Sequence, residues 1–477
     1  MISLNLKLRN RLRWAYVLTD LVSTSVAVLL FNVFRWTQLT AEVPLSLYLQ
    51  DAKVLLVQVG FTGLMMLIYW LSGYYNRVEQ RSRSNDALQT ATAAIIGSFS
   101  IFFLAVVNDL AWRRRVAFGS LFVAAGVLFV CVFIGRYLIT RLIVRNIHRR
   151  HNPNAAVMLG TDAAAASLAY RINTLRKGME MTVTTFVRIN PDDPVDPRCE
   201  DYEVISRSEF HRLCRERAVN SMIITPGVMN NGEYLADLMR LAHELNGALF
   251  ISPDVNTIGM ASRRSFNIVG EPLVCISSPN VPESTVNIKR AIDVMASLAA
   301  MVLLAPAFAV VAAAVKLDSP GPVFFRQERI GRGGRPFKIW KFRSMVRDAE
   351  ADGRARVTVD GDPRITRVGR FLRKYRIDEF PQFLNVLRGE MSLVGPRPER
   401  REFAEQIAAR VPLYPLLYCV RPGITSWGQV RYGYASNVDQ MVERLRYDLI
   451  YLENISVSTD LKILLHTVNT VLSGKGK

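Results

Sequence analysis

The stretch "VMASLAAMVLLAPAFAVVAAAV", Val294–Val315, has no charged residue and holds Pro306 near its middle. A proline inside a helix removes a backbone donor and clashes with the preceding turn, so we expect a helix break at Pro306. Basic residues flank both ends, Lys289 before and Lys316 after, and a crossing helix would strand one of them outside. The pattern favours a re-entrant helix, about residues 287–317, that returns to the side it entered. A Pro-kinked crossing helix is the alternative.

Four further apolar runs lie within residues 1–150: Ala15–Phe34, Val54–Tyr75, Ala91–Val107 and Val116–Ile134. Each approaches the length of about 20 residues that a membrane-spanning helix needs. Lysine and arginine concentrate before the first run, between the second and third, and after the fourth, which places these joints inside. The cluster Arg113–Arg115, between the third and fourth runs, conflicts with this topology. The sequence predicts a four-helix transmembrane region with one discordant joint.

The charge balance narrows the class of partner. Lys+Arg 60 against Asp+Glu 41 leaves a formal charge of +19, which suits polyanions or an anionic membrane face. The apolar runs favour the membrane, so nucleic acid is not an expected partner. The five cysteines are scattered without metal-ligand spacing, which indicates free thiols.

Residues 151–275 alternate short β-rich runs with helical stretches, a pattern typical of a Rossmann-like parallel sheet. The turn "LGTDAAAA" follows the first run, but only Gly160 matches a dinucleotide fingerprint, because Asp162 and Ala165 occupy the other glycine positions. Asp162 would also place a negative charge near phosphates. We therefore expect a regulatory or spacer domain. A nucleotide-sugar dehydrogenase or epimerase that needs NAD is an alternative that depends on this one turn.

From Ser319 the chain becomes strongly cationic. Between Arg364 and Arg376 there are six cations and no acid. Arg370, Arg373 and Lys374 share one helical face, which predicts an amphipathic helix suited to anionic lipid. A solvated basic face is the simpler alternative.

Two adjacent acids, Asp378 and Glu379, follow this cationic run in "RIDEFPQFLNVLRGEMSLVGPRPER", Arg376–Arg400. Asp378 could cap the helix that starts near Pro381. Carboxylates among arginines should stay ionised, however, and an ionised carboxylate suits a nucleophile or a metal ligand. With Mg²⁺ and phosphate-binding cations, such a pair could split a pyrophosphate through a phosphoryl-carboxylate intermediate.

Several blocks in the last third resemble one family: "KFRSM", "DPRITRVGRFLRK", "DEFPQFLNVLRGEMSLVGPRPE", "RPGITSWGQV" and "YDLIYLENISVSTDLKIL". They look like the bacterial sugar transferases, the polyprenol-phosphate glycosyl-1-phosphate transferases. The resemblance implies a monotopic, α-rich catalytic domain over residues 280–477. It implies transfer of a hexose 1-phosphate, glucose or galactose, from a UDP-sugar to undecaprenyl phosphate with release of UMP. That reaction starts exopolysaccharide, capsule or O-antigen synthesis.

The resemblance also implies roles for individual residues. Asp378 is the nucleophile and a Mg²⁺ ligand, Glu379 positions or deprotonates the lipid phosphate, and Pro306 is the helix-breaking proline. Five cations are implied as ligands of the diphosphate: Lys341, Arg343, Arg364, Arg376 and Arg397.

The complete expectation is an α/β protein with membrane helices in the bacterial inner membrane: a transmembrane region (1–150), a Rossmann-like domain (151–275) and a cytoplasmic catalytic domain (280–477). The first two domains could also support a homo-oligomer. A transporter of a lipid-linked sugar is the main rival, but the sequence lacks the inverted repeat with paired broken helices that transporters show.

Overall fold

The computed structural model describes most of the chain. The described residues are 6–39, 43–76, 83–108, 114–144, 155–174, 181–216, 219, 221–225, 232–245, 247–252, 273–276, 281–346, 349, 362–411, 413–433 and 435–472. The chain divides into two compact units, residues 1–153 with 282–288 and residues 154–281 with 289–477.

The described part of the first unit is helical, with four long helices and the short helix α2: α1 (Leu6–Leu39), α2 (Leu45–Gln50), α3 (Ala52–Leu71), α4 (Arg83–Asn108) and α5 (Arg114–Ile139). Among the described residues, three stretches are long and apolar enough to cross a membrane: Asn10–Gln38, Ala52–Leu71 and Gly119–Leu142. They contain most of the first, second and fourth predicted runs and indicate a membrane protein. The third predicted run lies in α4, which is not one of the three, so the four-span arrangement stays a prediction. Arg113 and the side chains of Arg114 and Arg115 lie outside the described residues.

A buried ion pair joins α1 to α5. Arg136 is 2 % exposed and donates from Nε and Nη2 to the two carboxylate oxygens of Asp20, at 2.9 and 2.6 Å. Its guanidinium carbon lies 3.6 Å from the ring centroid of Tyr74. Charged groups in membrane segments are costly unless they are paired. The pairing explains how an apolar helix accommodates Asp20.

The second unit begins with a six-stranded sheet. Its elements are β1 (Ala155–Leu159), α6 (Ala163–Thr174), β2 (Thr182–Arg188), β3 (Glu203–Ser206), α7 (Arg207–Glu216), β4 (Ser221–Ile224), α8 (Gly232–Glu244), β5 (Ala248–Ile251) and β6 (Val274–Cys275). The strand order is β3-β2-β1-β4-β5-β6, parallel except for β6. This is the doubly wound order, and the prediction of a parallel sheet is confirmed.

Asp162 has a structural task at the turn after β1. Its Oδ1 accepts a hydrogen bond from Ala165 N at 2.8 Å, which caps α6. In dinucleotide-binding folds this helix N-terminus faces the pyrophosphate. Here a carboxylate already satisfies a free N–H group of that helix.

The remainder of the second unit has short strands within a mostly helical fold. Its helices are α9 (Glu283–Leu303, whose first residues belong to the first unit), α10 (Ala305–Asp318), α11 (Arg367–Lys374), α12 (Phe383–Arg388), α13 (Arg401–Arg410), α14 (Trp427–Arg431), α15 (Val438–Glu453) and α16 (Val457–Leu472). Its strands are β7 (Phe324–Ile330), β8 (Pro336–Phe342), β9 (Ser392–Val394) and β10 (Gly423–Thr425). β7 and β8 form an antiparallel hairpin, and β9 pairs with β10 in parallel.

Helices α9 and α10 meet at an angle of 63°. Leu304 separates them, and Pro306 lies in the first turn of α10, where the missing N–H would have no partner in the helix. Exposed apolar side chains extend along both helices, and Leu303 (77 %) and Val310 (70 %) lie on either side of the bend. A broken apolar helix pair is therefore present in the chain.

Apolar packing joins the sheet to the helical part of the second unit. Tyr234 and Leu238 of α8 belong to the same buried cluster as Tyr414 and Leu417, which follow α13. All four side chains are less than a tenth exposed. One buried cluster is therefore common to the sheet and to the helical part of this unit.

Candidate active site

The acidic pair lies in a short 3-10 segment, Ile377–Gln382, that follows α11. Thr366 caps α11, because its Oγ1 accepts from Gly369 N at 3.0 Å. Asp318, the last residue of α10, accepts from Val368 N at 3.0 Å through Oδ2. The hydrogen bond between Val368 and Asp318 connects the first turn of α11 to the end of α10. It fixes the start of α11, and the acidic pair follows this helix.

A left-handed residue precedes the 3-10 segment that carries the acidic pair. Arg376 has φ 55° and ψ 22°, a conformation that residues other than glycine rarely adopt. Its carbonyl oxygen accepts from Glu379 N at 3.2 Å. A residue held in such a region costs roughly 1–3 kcal/mol and persists only where its surroundings enforce it. The turn formed by Arg376 and Glu379 therefore fixes the start of the segment that carries the acidic pair.

Asp378 is the buried first acid of the pair. It is 7 % exposed, and among the described residues its side chain makes no hydrogen bond or ion pair. Burial raises the pKa of Asp378 to about 6, although Lys341 pulls it down; the charge of Glu379 adds to the increase. The carboxylate is therefore mostly ionised at neutral pH and is available to a ligand or an electrophile.

Glu379 lies among cations. Lys341 Nζ donates to its Oε1 at 2.9 Å, and Nη1 atoms of Arg376 and Arg397 lie 3.6 and 3.8 Å from its carboxylate oxygens. Burial raises the pKa of Glu379, but Lys341, Arg397 and Arg376 outweigh it and hold the pKa below its usual range. The structure thus brings three of the five predicted phosphate-binding cations to the acidic pair.

Arg343 has other partners. It is 6 % exposed and donates to the carbonyl oxygens of Val315, Ser319 and Pro320 at 3.0, 2.6 and 3.2 Å. These carbonyls lie at the C-terminal end of α10, where helix carbonyls have no partner inside the helix. The contacts give Arg343 a capping task, and its role in binding the diphosphate stays a prediction.

Arg364 is bound to a neighbouring acid. Its Nε and Nη2 lie 2.9 and 2.6 Å from the two oxygens of Asp362, and Nη1 donates to the carbonyl of Ala349. The hydrogen bonds from Arg364 lower the pKa of Asp362 to about 2. Arg364 therefore forms its ion pair with Asp362. The ion pairs to Glu379 come from three other cations, Lys341, Arg376 and Arg397.

Two further arginines act on the site electrostatically, and neither is among the five cations implied from sequence. Arg373 lowers the pKa of Asp378. Burial lowers the pKa of Arg329 to about 10 and the charges of Arg397 and Arg400 add to the decrease, whereas the charges of Glu399 and of Glu379 in the acidic pair oppose it. Both lie in basic stretches, so composition marks them as cations, but their distance to the acidic pair depends on chain folding.

Close backbone contacts hold the loop that carries Arg397. Gly395 N donates to Thr425 O at 3.0 Å, and Gly423 N donates to Pro396 O at 2.9 Å. A Cβ on Gly395 would lie 2.4 Å from Arg421 O, so only glycine fits there. The pairing of β9 with β10 therefore sets the position from which Arg397 reaches Glu379.

The site also borders the broken helix pair. The ring centroid of Phe380, next to Glu379, lies 6.5 Å from that of Phe308 in α10, and Phe308 packs at 5.6 Å against Phe342. Phe342 follows Lys341 directly on β8. The acidic pair is thus adjacent to an apolar helix as well as to cations.

The donor set suits one kind of metal ion. Among the described residues no group of three or more His, Cys, Asp and Glu could hold a metal. Mg²⁺ in phosphoryl-transfer sites is usually held by one or two carboxylates, with substrate phosphates and water completing its shell. The carboxylate of Asp378, which has no hydrogen-bond or ion-pair partner among the described residues, fits that pattern.

The chain is similar in sequence to proteins of a known family. The family model described as "Bacterial sugar transferase" matches residues 284–474. A UDP-N-acetylgalactosamine-undecaprenyl-phosphate N-acetylgalactosaminephosphotransferase of Aeromonas hydrophila is 47% identical over 40% of this chain and 44% of its own length. A UDP-glucose:undecaprenyl-phosphate glucose-1-phosphate transferase of Escherichia coli K12 is 40% identical over 49% of this chain and 51% of its own length. The chain therefore spans about half the length of these two relatives.

A third relative matches over a longer region. An undecaprenyl-phosphate glucose phosphotransferase of Komagataeibacter xylinus is 32% identical over 378 residues, 77% of this chain and 68% of its own length. Such an alignment extends well beyond the residues that the family model matches. Together these matches show that the chain belongs to the bacterial sugar transferase family.

Proposed function

We propose that this protein transfers a sugar 1-phosphate from a UDP-sugar to undecaprenyl phosphate and releases UMP. The observation that carries the proposal is the buried carboxylate of Asp378, which has a pKa of about 6 and no hydrogen bond or ion pair with any described residue, beside the cations that surround Glu379. Buried carboxylates are retained where chemistry needs them, because burial without a partner is unfavourable.

In the first half-reaction, an oxygen of Asp378 attacks the sugar-linked phosphorus of the UDP-sugar. The bond from that phosphorus to the bridging oxygen breaks, and UMP leaves with the electron pair. A phosphosugar then remains on the carboxylate as an acyl phosphate. Lys341, Arg376 and Arg397 bind the diphosphate and stabilise the charge that develops on the leaving UMP. Mg²⁺ held by Asp378 and the phosphates would neutralise further negative charge.

In the second half-reaction, an oxygen of undecaprenyl phosphate attacks the same phosphorus, and the Asp378 carboxylate leaves. Glu379 has a pKa below its usual range, so it is a weak base. We therefore assign it to positioning the cations rather than to deprotonating the lipid phosphate. The contact between Phe380 and Phe308 supports a lipid acceptor, since it brings the site next to the apolar helix pair.

We further propose that the protein is a multi-pass protein of the bacterial inner membrane, with four spans, a cytoplasmic catalytic domain and a re-entrant helix formed by α9 and α10. The 63° bend supports re-entry because a straight helix of this length would cross. The product would start the synthesis of an exopolysaccharide, a capsule or an O-antigen. The donor carries a hexose or a hexose derivative. Glucose, galactose and N-acetylgalactosamine are the candidates, since the names of two relatives specify glucose and N-acetylgalactosamine.

The test uses the purified full chain in nanodiscs, undecaprenyl phosphate, Mg²⁺ and UDP-glucose, UDP-galactose or UDP-N-acetylgalactosamine. UMP release that requires one of these donors, with a lipid-linked sugar phosphate as product, supports the proposal. Release of UDP instead of UMP would overturn it, because a different bond would have broken. Movement of a lipid-linked sugar without any UMP would favour a transporter.

A further inference from the structure

A buried side-chain amide links the segment after the acidic pair to strand β8. Asn385, in the first turn of α12, is 0 % exposed. Its Oδ1 accepts from Trp340 N at 3.0 Å, and its Nδ2 donates to Lys338 O at 2.8 Å and to Glu390 Oε2 at 2.7 Å. Both N–H groups and the oxygen of the amide are therefore engaged, which fixes its orientation.

These bonds engage one edge of β8. In an antiparallel strand, alternate residues direct their N–H and C=O groups to opposite edges. Trp340 N and Lys338 O are two residues apart and therefore face the same edge, where both bond to the Asn385 side-chain amide. The amide thereby holds β8 against α12 on both sides of Ile339, which is itself 3 % exposed.

The strand that Asn385 holds carries Lys341. Lys341 follows Trp340 directly, and its Nζ lies 2.9 Å from Glu379 Oε1. Asn385 also lies near Glu379 in sequence, within the helix that follows the acidic segment. The Asn385 amide thus connects α12, which follows Glu379 in the chain, to β8, which carries Lys341.

We propose that Asn385 is a positioning residue for the phosphosugar transfer: it holds β8 in the register that presents Lys341 to Glu379 and to the diphosphate of the donor. This inference rests on the proposed function. Asn385 acts through Lys341 and does not itself contact the reacting atoms.

Two substitutions remove the amide in different ways. Asn385→Ala deletes all three hydrogen bonds. Asn385→Asp keeps the shape but turns an acceptor toward Lys338 O and the carboxylate of Glu390. We expect either change to slow formation of the phosphosugar adduct by about 10- to 100-fold, because misplacing a catalytic group by about 1 Å can cost about 10²-fold in rate.

A double-mutant cycle separates positioning from general structural support. Adduct formation from UDP-sugar is timed by quenched mass spectrometry in the full chain and in Asn385→Ala, Lys341→Met and the double variant. If Asn385 acts through Lys341, the Ala substitution changes the rate by less than twofold in the Lys341→Met background. The KM for UDP-sugar should also rise in Asn385→Ala, because Lys341 contacts the diphosphate of the donor in the proposed reaction. Loss of general structural support would lower the amount of active protein and leave that KM unchanged.

The double-mutant cycle can also contradict the proposal. Equal losses in both backgrounds would overturn the positioning role. If Asn385→Ala shows no cooperative thermal unfolding transition, Asn385→Asp replaces it in the cycle. If neither variant folds, the Asn385 amide is required for folding and the proposal fails. If the wild type releases UMP only with lipid acceptor, that rate replaces adduct formation in the cycle. A wild type without any UMP release would overturn the proposed function, and with it this inference.

Discussion

Lys341 Nζ lies 2.9 Å from Glu379 Oε1, whereas the adjacent Asp378 carboxylate makes no hydrogen bond or ion pair with any described residue. Two neighbouring acids are therefore electrostatically distinct. Cations hold the pKa of Glu379 below its usual range, while burial raises that of Asp378 to about 6. Pairs whose pKa values are pushed apart mark a division of roles in catalysis.

Removing Lys341 should affect Asp378 as well as Glu379. Lys341 lowers the pKa of Asp378, so Lys341→Met should move the acid limb of the first half-reaction to higher pH. We expect the rate at neutral pH to fall by about 10²-fold or more, because a charge that stabilises the transition state is lost. Lys338→Met is the matched control, since its exposed side chain lies on the same strand. A pH profile identical to that of the wild type would count against this electrostatic account.

Asp378→Asn should stabilise the fold while it abolishes activity. A carboxyl whose pKa is raised in the folded state contributes stability below its unfolded pKa of 3.8 and loses that contribution as pH rises through about 6. At pH 7.5 the substitution should raise the free energy of unfolding by about 1 to 3 kcal/mol, since one pKa unit corresponds to about 1.4 kcal/mol. The gain should shrink as the pH falls below 6 in thermal melts.

Asp362→Asn provides a control of opposite sign. Arg364 lowers the pKa of Asp362 to about 2, so this carboxylate contributes stability above pH 3.8 that is lost as pH falls through 2. Its replacement should lower the melting temperature at pH 7.5. Equal shifts of the same sign in the two variants would contradict the assignment of these environments.

Local sequence signals predicted much of the architecture. Apolar runs, short β-rich segments and Pro306 each report on a few neighbouring residues, and the sheet and three apolar helices are present. The approach of Lys341 to Glu379 depends on β8 meeting the acidic segment, 38 residues away along the chain. Residue spacing alone does not predict that Lys341 and Glu379 lie close together. The family resemblance of the sequence blocks around them does imply a shared site.

Other contacts could not be predicted from residue type. Arg343 stands in the same block as Lys341, but its guanidinium turns to the carbonyls at the end of α10. Asn385 is an ordinary helix residue in sequence, and only its burial and three bonds distinguish it. A charge pattern states which side chains are cationic, whereas their partners depend on the packing of distant elements.

Arg343 and Arg397 should respond differently to the same substitution. Arg343→Met leaves three carbonyls at the end of α10 without their donor, so we expect the melting temperature to fall and the KM for UDP-sugar to change little. Arg397→Met should raise that KM about tenfold or more with little change in melting temperature. An Arg343→Met variant with wild-type stability and a raised KM would instead make Arg343 a ligand of the diphosphate.

The re-entrant helix predicts protection at both of its ends. Single cysteines at Lys289 and Ser319, in a chain without its native cysteines, should both resist a membrane-impermeant maleimide added from the periplasm. Both should react after the membrane is opened. Labelling of one position and not the other would show that α9 and α10 cross the bilayer as a kinked span.

The central claim is that Asp378 forms a covalent phosphosugar intermediate. Incubation of the full chain with the active UDP-sugar and Mg²⁺, without lipid acceptor, followed by intact-protein mass spectrometry and peptide mapping, tests it most directly. We expect one added sugar phosphate on Asp378, stoichiometric UMP, loss of the adduct when undecaprenyl phosphate is added, and no adduct in Asp378→Asn. An adduct on Glu379, wild-type turnover in Asp378→Asn, or UMP release only when lipid is present would contradict it.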